Sequence, residues 1–143
     1  MDIPGGISFK HYGLLALTVL LFSLVGIYWR PLDQLSTLWL TNAILLGIFL
    51  RIPQLATPAG WLAAAMGYIG ADLLTGSAWP LAVALNLTNL LSVAVALALC
   101  LRIDEAGRNL TSPGALPRLF LGVAAAAVLA GFAGGMLLWR VYD

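Results

Sequence analysis

Charge is what this sequence has least of. Only 9% of its 143 residues are charged and 62% are hydrophobic, whereas about a quarter of the residues in an ordinary soluble domain are charged. The net charge is +1 and no basic run occurs, so nucleic acid is not an expected partner. Because a globule of this length cannot bury so much apolar surface, the composition predicts an integral membrane protein whose first partner is the lipid bilayer.

Residues that carry most enzyme and metal chemistry are nearly absent. The chain has one histidine, His11, and one cysteine, Cys100, which leaves no internal disulfide, no His/Cys metal spacing and no Ser-His-Asp set. It also has no glycine-rich phosphate loop, and no apolar run contains two carboxylates. We therefore predict no catalytic residue, no metal site and no cofactor in this chain, and we interpret Cys100 as a small core residue near a helix end.

Five apolar runs divide the sequence. Each reaches or approaches the length that an α-helix needs to cross a bilayer, and the second, of about sixteen residues, is near the lower limit. The predicted spans cover about residues 12–29, 35–50, 60–75, 80–101 and 118–139. The predicted fold is therefore an all-α integral membrane protein, a bundle of about five transmembrane helices that forms one domain over residues 1–143.

The basic residues indicate how these spans are oriented. With the amino terminus in the cytoplasm, five of the seven basic side chains fall on inner segments, namely Lys10, Arg51, Arg102, Arg108 and Arg118, and the outer segments hold Arg30 and Arg140. This distribution follows the positive-inside rule. We expect a multi-pass protein of the bacterial inner membrane with a cytoplasmic amino terminus.

Small residues recur every four positions in two of the runs. They are Ala63, Gly67 and Ala71 in the third run and Gly122, Ala126, Ala130 and Gly134 in the fifth. Such ridges allow helix backbones to approach closely in lipid. We predict that both ridges are helix-packing surfaces.

A few polar residues interrupt the apolar runs, and counting along the helices places them all in the outer half of the membrane. They are Asp72, Asn42, Asn86 and Asn89, with Tyr68 one turn before Asp72 and Thr41 beside Asn42. A charged group at membrane depth is costly, so it is kept where a partner or a water-filled cavity receives it. One interpretation is an outward-opening pocket in which these six residues contact a ligand. The other is that the amides bond neighbouring helices and that Asp72 is hydrated near the surface.

Several segments follow one another in an order that is typical of one family of bacterial sensors. The shared features are a tryptophan-led second run, a tryptophan at the start of the third, small residues along the third and a polar residue in the fourth. The segments are Leu38–Gly47 (LWLTNAILLG), Arg51–Pro53, Trp61, Gly70–Gly76 (GADLLTG), Asn89–Ser92 (NLLS) and Leu101–Arg102. Over residues 35–102 the chain resembles the first class of the bacterial membrane-associated sensor domains, the MASE group.

The resemblance implies an input module that passes a signal to a cytoplasmic output domain, such as a diguanylate cyclase or a histidine kinase. Family members have more spans and an attached output domain, so the chain is expected to be either the amino-terminal part of a longer sensor, incomplete at its carboxyl end, or a shortened relative that acts through a partner membrane protein. A homodimer is a further expected form of assembly.

Two alternatives from other classes stay open. One is a small transporter or channel subunit in which Asp72 binds a cation or a proton. The other is an accessory subunit that packs beside larger membrane proteins through its small-residue ridges.

Overall fold

The computed structural model describes residues 6–29, 40–102 and 115–142, and within these ranges the protein is helical and has no β-strand. The described ranges contain five α-helices, namely α1 (Phe9–Tyr28), α2 (Leu40–Arg51), α3 (Pro58–Leu74), α4 (Trp79–Leu101) and α5 (Ala115–Tyr142), and a short 3₁₀ turn, Pro53–Leu55, lies between α2 and α3. The all-α prediction is confirmed for these residues, since each helix overlaps one of the five apolar runs. The first part of the second run, residues 35–39, lies outside the described ranges.

The chain divides into two compact units, Met1–Leu87 and Thr88–Asp143. The first unit contains α1, α2, α3 and the first turns of α4. The second contains the remainder of α4 and α5. All of the contacts that define the candidate site below lie in the first unit.

Local sequence explains where the first and third helices begin. Ser8 precedes α1, and its backbone N–H donates to Nδ1 of His11 at 3.0 Å. Thr57 precedes α3, and its hydroxyl accepts from the backbone N–H of Gly60 at 3.3 Å. Pro58 then occupies the first helical position, where its missing N–H costs nothing. Both helix starts therefore satisfy part of their exposed backbone donors.

Helices α1 and α3 run parallel, and their backbones approach each other closely. Their starts are joined by the hydroxyls of Tyr12 and Thr57, which lie 3.2 Å apart. Further along, a Cβ added at Gly67 would lie 2.5 Å from the carbonyl oxygen of Ala16 and 2.9 Å from Cβ of Val19. Since glycine alone leaves this space, Gly67 sets how closely α1 can approach α3.

Helix α2 runs antiparallel to α3. The rings of Phe49 and Trp61 lie 4.8 Å apart at one level. Seven residues back along α2 and seven residues onward along α3, the side chains of Asn42 and Tyr68 are hydrogen-bonded. These two contacts fix the register of α2 on α3.

A tight turn returns the chain from α3 into α4. Gly76 has φ +88, a left-handed conformation that favours glycine. The backbone N–H of Ser77 donates to the carbonyl oxygen of Asp72 at 2.9 Å, and the hydroxyl of Thr75 donates to the carbonyl oxygens of Ala71 and Asp72, each at 3.0 Å. The last turn of α3 is thereby closed directly at the residue that carries the carboxylate.

Two of the described helices, α1 and α4, are long and apolar enough to cross a membrane. The outward side of α1 is apolar, because Leu14, Leu17, Leu21 and Val25 are exposed while Ser23 is buried. This distribution is the reverse of what a water-soluble surface helix shows.

Candidate functional site

The carboxylate of Asp72 is buried near the end of α3 and is hydrogen-bonded to the next helix. Its Oδ2 accepts from Nδ2 of Asn86 on α4 at 2.6 Å. Asp72 is 4% exposed and Asn86 is 1% exposed. Hydrogen bonds to a charged group in a low-dielectric environment are short and strong, so this contact ties α3 to the start of α4.

The second proton of the same amide holds Asn86 in position on its own helix. Nδ2 of Asn86 also donates to the carbonyl oxygen of Ala82, one turn earlier, at 2.8 Å. The amide nitrogen therefore bridges a backbone carbonyl of α4 and the carboxylate of α3. Because Nδ2 has two protons, both bonds can form at once.

One turn before Asp72, α3 makes a second polar contact, this time with α2. The hydroxyl of Tyr68 donates to Oδ1 of Asn42 at 2.5 Å, and Tyr68 is fully buried. Residues four apart on a helix lie on the same face, so Tyr68 and Asp72 form one polar stripe on α3. That stripe meets an amide of α2 at one level and an amide of α4 one turn further on.

Thr41 lies next to Asn42 on α2 and belongs to the buried side of that helix, together with Leu45 and Phe49. It is 1% exposed, and its hydroxyl has no hydrogen-bond partner. A buried hydroxyl without a partner is uncommon in a folded protein and calls for an explanation. The structure therefore joins four of the six predicted ligand-contact residues in two hydrogen-bonded pairs, Asn42 with Tyr68 and Asp72 with Asn86. Thr41 is buried beside Asn42 on α2, and its role in ligand contact stays a prediction.

The sixth, Asn89, lies in the second compact unit. It is half-buried on α4, one turn after Asn86. The cluster in the first unit therefore ends at Asn86, and a role for Asn89 stays a prediction.

The predicted packing residues have different outcomes. Gly67 lies against the α1 backbone, and Ala63 and Ala71 of the same ridge are buried. On α5, a Cβ at Gly122 would lie 3.7 Å from Cβ of Leu99, an ordinary contact. The side-chain surroundings of Ala126, Ala130 and Gly134 lie outside the described residues.

One further buried polar residue of the first unit, Ser23 on α1, was not predicted from the sequence. It is 1% exposed and its hydroxyl has no hydrogen-bond partner. It shares the buried stripe of α1 with Leu15, Val19 and Gly26. The sequence does show a polar residue on an otherwise apolar face of α1. A serine in a helix often bonds its own backbone, however, so its presence alone does not predict a buried polar site.

The arrangement is suited to binding and has no nucleophile–base pair. It offers a carboxylate, two amides, a phenol and two aliphatic hydroxyls contributed by four helices of one unit. These groups can accept and donate hydrogen bonds to a small polar ligand or ion. A change in any of the inter-helix bonds would alter how α2, α3 and α4 are held together.

Scans against protein-family models, curated proteins and solved structures find no match to this chain.

Proposed function

We propose that this chain is an integral-membrane sensory input module in which the polar cluster of Asn42, Tyr68, Asp72 and Asn86 receives the signal. The signal would be a small ligand or a change in the membrane, passed to a cytoplasmic output of the diguanylate cyclase or histidine kinase type. The observation that carries the proposal is the hydrogen bond between Asp72 and Asn86. An ionisable side chain buried within an apolar helix is expensive and is usually kept for function.

The location in the bilayer is supported by the distribution of polar and apolar side chains. Polar groups such as Asp72, Asn86 and Ser23 are buried, whereas leucines on α1 are exposed. In lipid this arrangement places apolar side chains against hydrocarbon and polar ones against each other. In water the same surface would be a large apolar patch.

The parallel α1 and α3, with α2 antiparallel to α3, have the directions that consecutive spans require. We propose five spans, with the amino terminus in the cytoplasm. A periplasm-active reporter fused after Asp143 is expected to be active, and one fused between Glu105 and Ser112 is expected to be silent. The reverse pattern would overturn this orientation, and activity at both positions would mean that one of the short runs does not span.

The kind of output is proposed from the resemblance over residues 35–102. The structure adds a physical route by which a signal could leave the cluster, because the stripe on α3 is bonded to both α2 and α4. A ligand that replaces one of these bonds changes the relative stability of two arrangements of the same helices. Only such a differential interaction can shift a conformational equilibrium.

The test uses chromosomal variants at equal membrane abundance. Asp72→Asn keeps the size of the side chain and an acceptor for Asn86 but removes the charge. Gly47→Ala is the control, because a Cβ at Gly47 meets nothing within 4 Å. The measured outputs are the cellular concentration of cyclic di-GMP and the transcripts under kinase control, with a gene deletion as reference.

We expect the deletion and Asp72→Asn to change the same output, while Gly47→Ala behaves as the parent. If the deletion changes an output that Asp72→Asn leaves untouched, the cluster does not receive the signal. If the deletion changes neither output, the sensory function itself is contradicted. The coding sequence after Asp143 supplies an independent check, since further spans and an output domain there would favour the sensor.

The buried carboxylate also supports a second candidate, a small transporter or accessory subunit in a larger membrane complex. In that case Asp72→Asn would abolish ion flux in proteoliposomes that contain the complex and leave both signalling outputs unchanged. The close approach of α1 to α3 at Gly67 agrees with either function.

A further inference from the structure

Among the described residues of the first compact unit, two hydroxyl groups are buried without a hydrogen-bond partner, those of Ser23 on α1 and Thr41 on α2. Each residue is 1% exposed. Thr18 on α1 behaves differently, since its hydroxyl donates to the carbonyl oxygen of Leu14 at 2.8 Å. Burial of a hydroxyl without a partner costs free energy, so the two free groups indicate a missing partner at their location.

The register of the helices places these two hydroxyls at nearly the same level. Val19 of α1 lies against Gly67 of α3, so Ser23, one turn further along α1, is level with Ala71 of the parallel α3. Asn42 is bonded to Tyr68, so Thr41 on the antiparallel α2 is level with the residue after Tyr68. At a rise of about 1.5 Å per residue, the two levels differ by about 3 Å along the bundle.

Both hydroxyls also belong to the helix faces that are turned towards α3. Ser23 continues the stripe on which Val19 meets Gly67, and Thr41 continues the stripe on which Phe49 meets Trp61. The α3 residue at this level is Ala71, a small side chain that is fully buried. The two unpartnered hydroxyls therefore lie on faces directed at a level of α3 where Ala71 is small and where Tyr68 and Asp72 lie within one turn.

The polar side chains that the helix register places near this level offer mainly neutral oxygens. Ser23 and Thr41 contribute hydroxyl oxygens, Tyr68 has lone pairs left after donating to Asn42 Oδ1, and Asp72 adds one carboxylate. Oxygen ligands of this kind bind hard cations, and a carboxylate within one turn disfavours an anion. Among the described residues no three His, Cys, Asp or Glu side chains come together, so a single negative charge favours a monovalent ion over a divalent one.

We infer that Ser23 and Thr41 extend the polar cluster into a binding site for a monovalent cation of sodium size. The hydroxyls rotate their lone pairs towards the ion, and the Tyr68 oxygen and the Asp72 carboxylate complete the set from α3. The role of this ion as a signal rests on the proposed function, whereas binding of the ion can be measured without it.

The binding test uses the purified full chain in detergent. Its melting midpoint is measured as NaCl replaces choline chloride at constant ionic strength, because a ligand that binds the folded state raises the midpoint with its concentration. The variants are Ser23→Ala and Thr41→Val, each of which removes one oxygen. Thr18→Val is the matched control, since the Thr18 hydroxyl is already bonded within α1. Thr41→Ser is the conservative variant, because it restores the oxygen.

We expect the midpoint of the parent, of Thr18→Val and of Thr41→Ser to rise with sodium. We expect the sodium affinity of Ser23→Ala and Thr41→Val to fall by about tenfold or more, because each loses a contact with a charged ligand. The absence of a sodium effect on the parent would overturn the inference, and so would an unchanged response in both oxygen-deleting variants. If those two variants do not fold, sodium titration of the parent by calorimetry decides the matter, and a lack of binding heat and of a midpoint shift is the contradicting result.

This test separates the ion site from the signalling proposal. Sodium binding without any sodium-dependent output would support the ion site and count against sensing. An output that depends on Asp72 in a protein that does not bind sodium would support sensing and overturn the ion site.

Discussion

The two faces of helix α3 hold their neighbours in different ways. On one face, Gly67 lets the backbone of α1 approach so closely that a Cβ would lie 2.5 Å from the carbonyl oxygen of Ala16. On the other face, Tyr68 and Asp72 reach α2 and α4 through side-chain hydrogen bonds of 2.5 Å and 2.6 Å. The first contact depends on shape and the second on specific donors and acceptors.

The two faces of α3 differ in what they indicate about function. Close packing of small residues is a general way to join helices in lipid, so the contact at Gly67 itself is explained by stability. The Tyr68 and Asp72 face buries polar groups that an apolar side chain could replace without desolvation cost. A face that retains such groups is the better candidate for binding, and the two faces should respond differently to substitution.

The largest effect is expected on the packing face. Gly67→Leu introduces a side chain where even a Cβ has no room, so α1 must move away from α3. We expect a loss of several kcal/mol, beyond the ~1–3 kcal/mol typical of overpacking, and poor recovery of folded protein. Size-exclusion chromatography in detergent and the melting midpoint measure this effect.

The control for that change is Gly47→Leu on α2, where an added Cβ meets nothing within 4 Å. It should leave the melting midpoint unchanged or slightly raised, because leucine is a better helix former than glycine by up to about 1 kcal/mol. If Gly67→Leu and Gly47→Leu melt alike, α1 does not pack against α3 as described.

The next largest effect is expected for Asn86→Leu on the polar face. The substitution removes the 2.6 Å donor to the Asp72 carboxylate and leaves that buried group less satisfied, which costs about 1–3 kcal/mol. Leu87→Ala is the control, because Leu87 is exposed on the same turn. Reversible denaturation in mixed detergent and SDS measures both, and an Asn86→Leu variant as stable as the control would show that the bond contributes nothing.

A smaller loss is expected for Tyr68→Phe, which removes only the hydroxyl that donates to Asn42. The ring and its packing remain, so the loss should be about 1 kcal/mol. Tyr28→Phe, at an exposed position, should have no measurable effect. Equal stability of the two variants would place the Tyr68 hydroxyl outside any stabilising contact.

These contacts also indicate how much of the molecule could be predicted from its sequence. The helices follow from the apolar runs, because an uninterrupted stretch of that length has few other ways to satisfy its backbone in lipid. The grouping of Asn42, Tyr68, Asp72 and Asn86 followed from their depth, since residues at one level on adjacent helices are candidates to meet. Depth alone did not pair Tyr68 with Asn42 or Asp72 with Asn86, because pairing depends on the rotation of each helix.

Two features could not be predicted for physical reasons. The ridge with Gly67 identifies a packing surface, but any of several helices could have filled it, and the choice of α1 depends on side chains such as Val19 that look generic. The burial of Ser23 depends on that same choice, because its hydroxyl faces inward only once α1 lies on α3. Thr57 shows the same limit to prediction. Its capping of α3 can be predicted from the neighbouring residues, whereas its contact with Tyr12 on α1 cannot.

The smallest effect is expected at that helix start. Thr57→Ala removes the acceptor for the Gly60 N–H and the contact with Tyr12. Because the Gly60 contact is long at 3.3 Å, the loss should be about 0.5 kcal/mol, the low end for removal of a cap. Thr57→Ser keeps both oxygen contacts and should recover most of the loss. Hydrogen exchange at the first turn of α3 measures it, and unchanged protection in Thr57→Ala would contradict the cap.

A double-mutant cycle on Asp72 and Asn86 measures whether the two side chains interact across α3 and α4. The free energies of unfolding of Asp72→Ala, Asn86→Ala and the double variant are compared with that of the parent. If the two side chains bond across α3 and α4 as described, the single losses overlap and the coupling energy is at least about 1 kcal/mol, whereas independent sites add within about 0.3–0.5 kcal/mol. Additive losses would contradict the site.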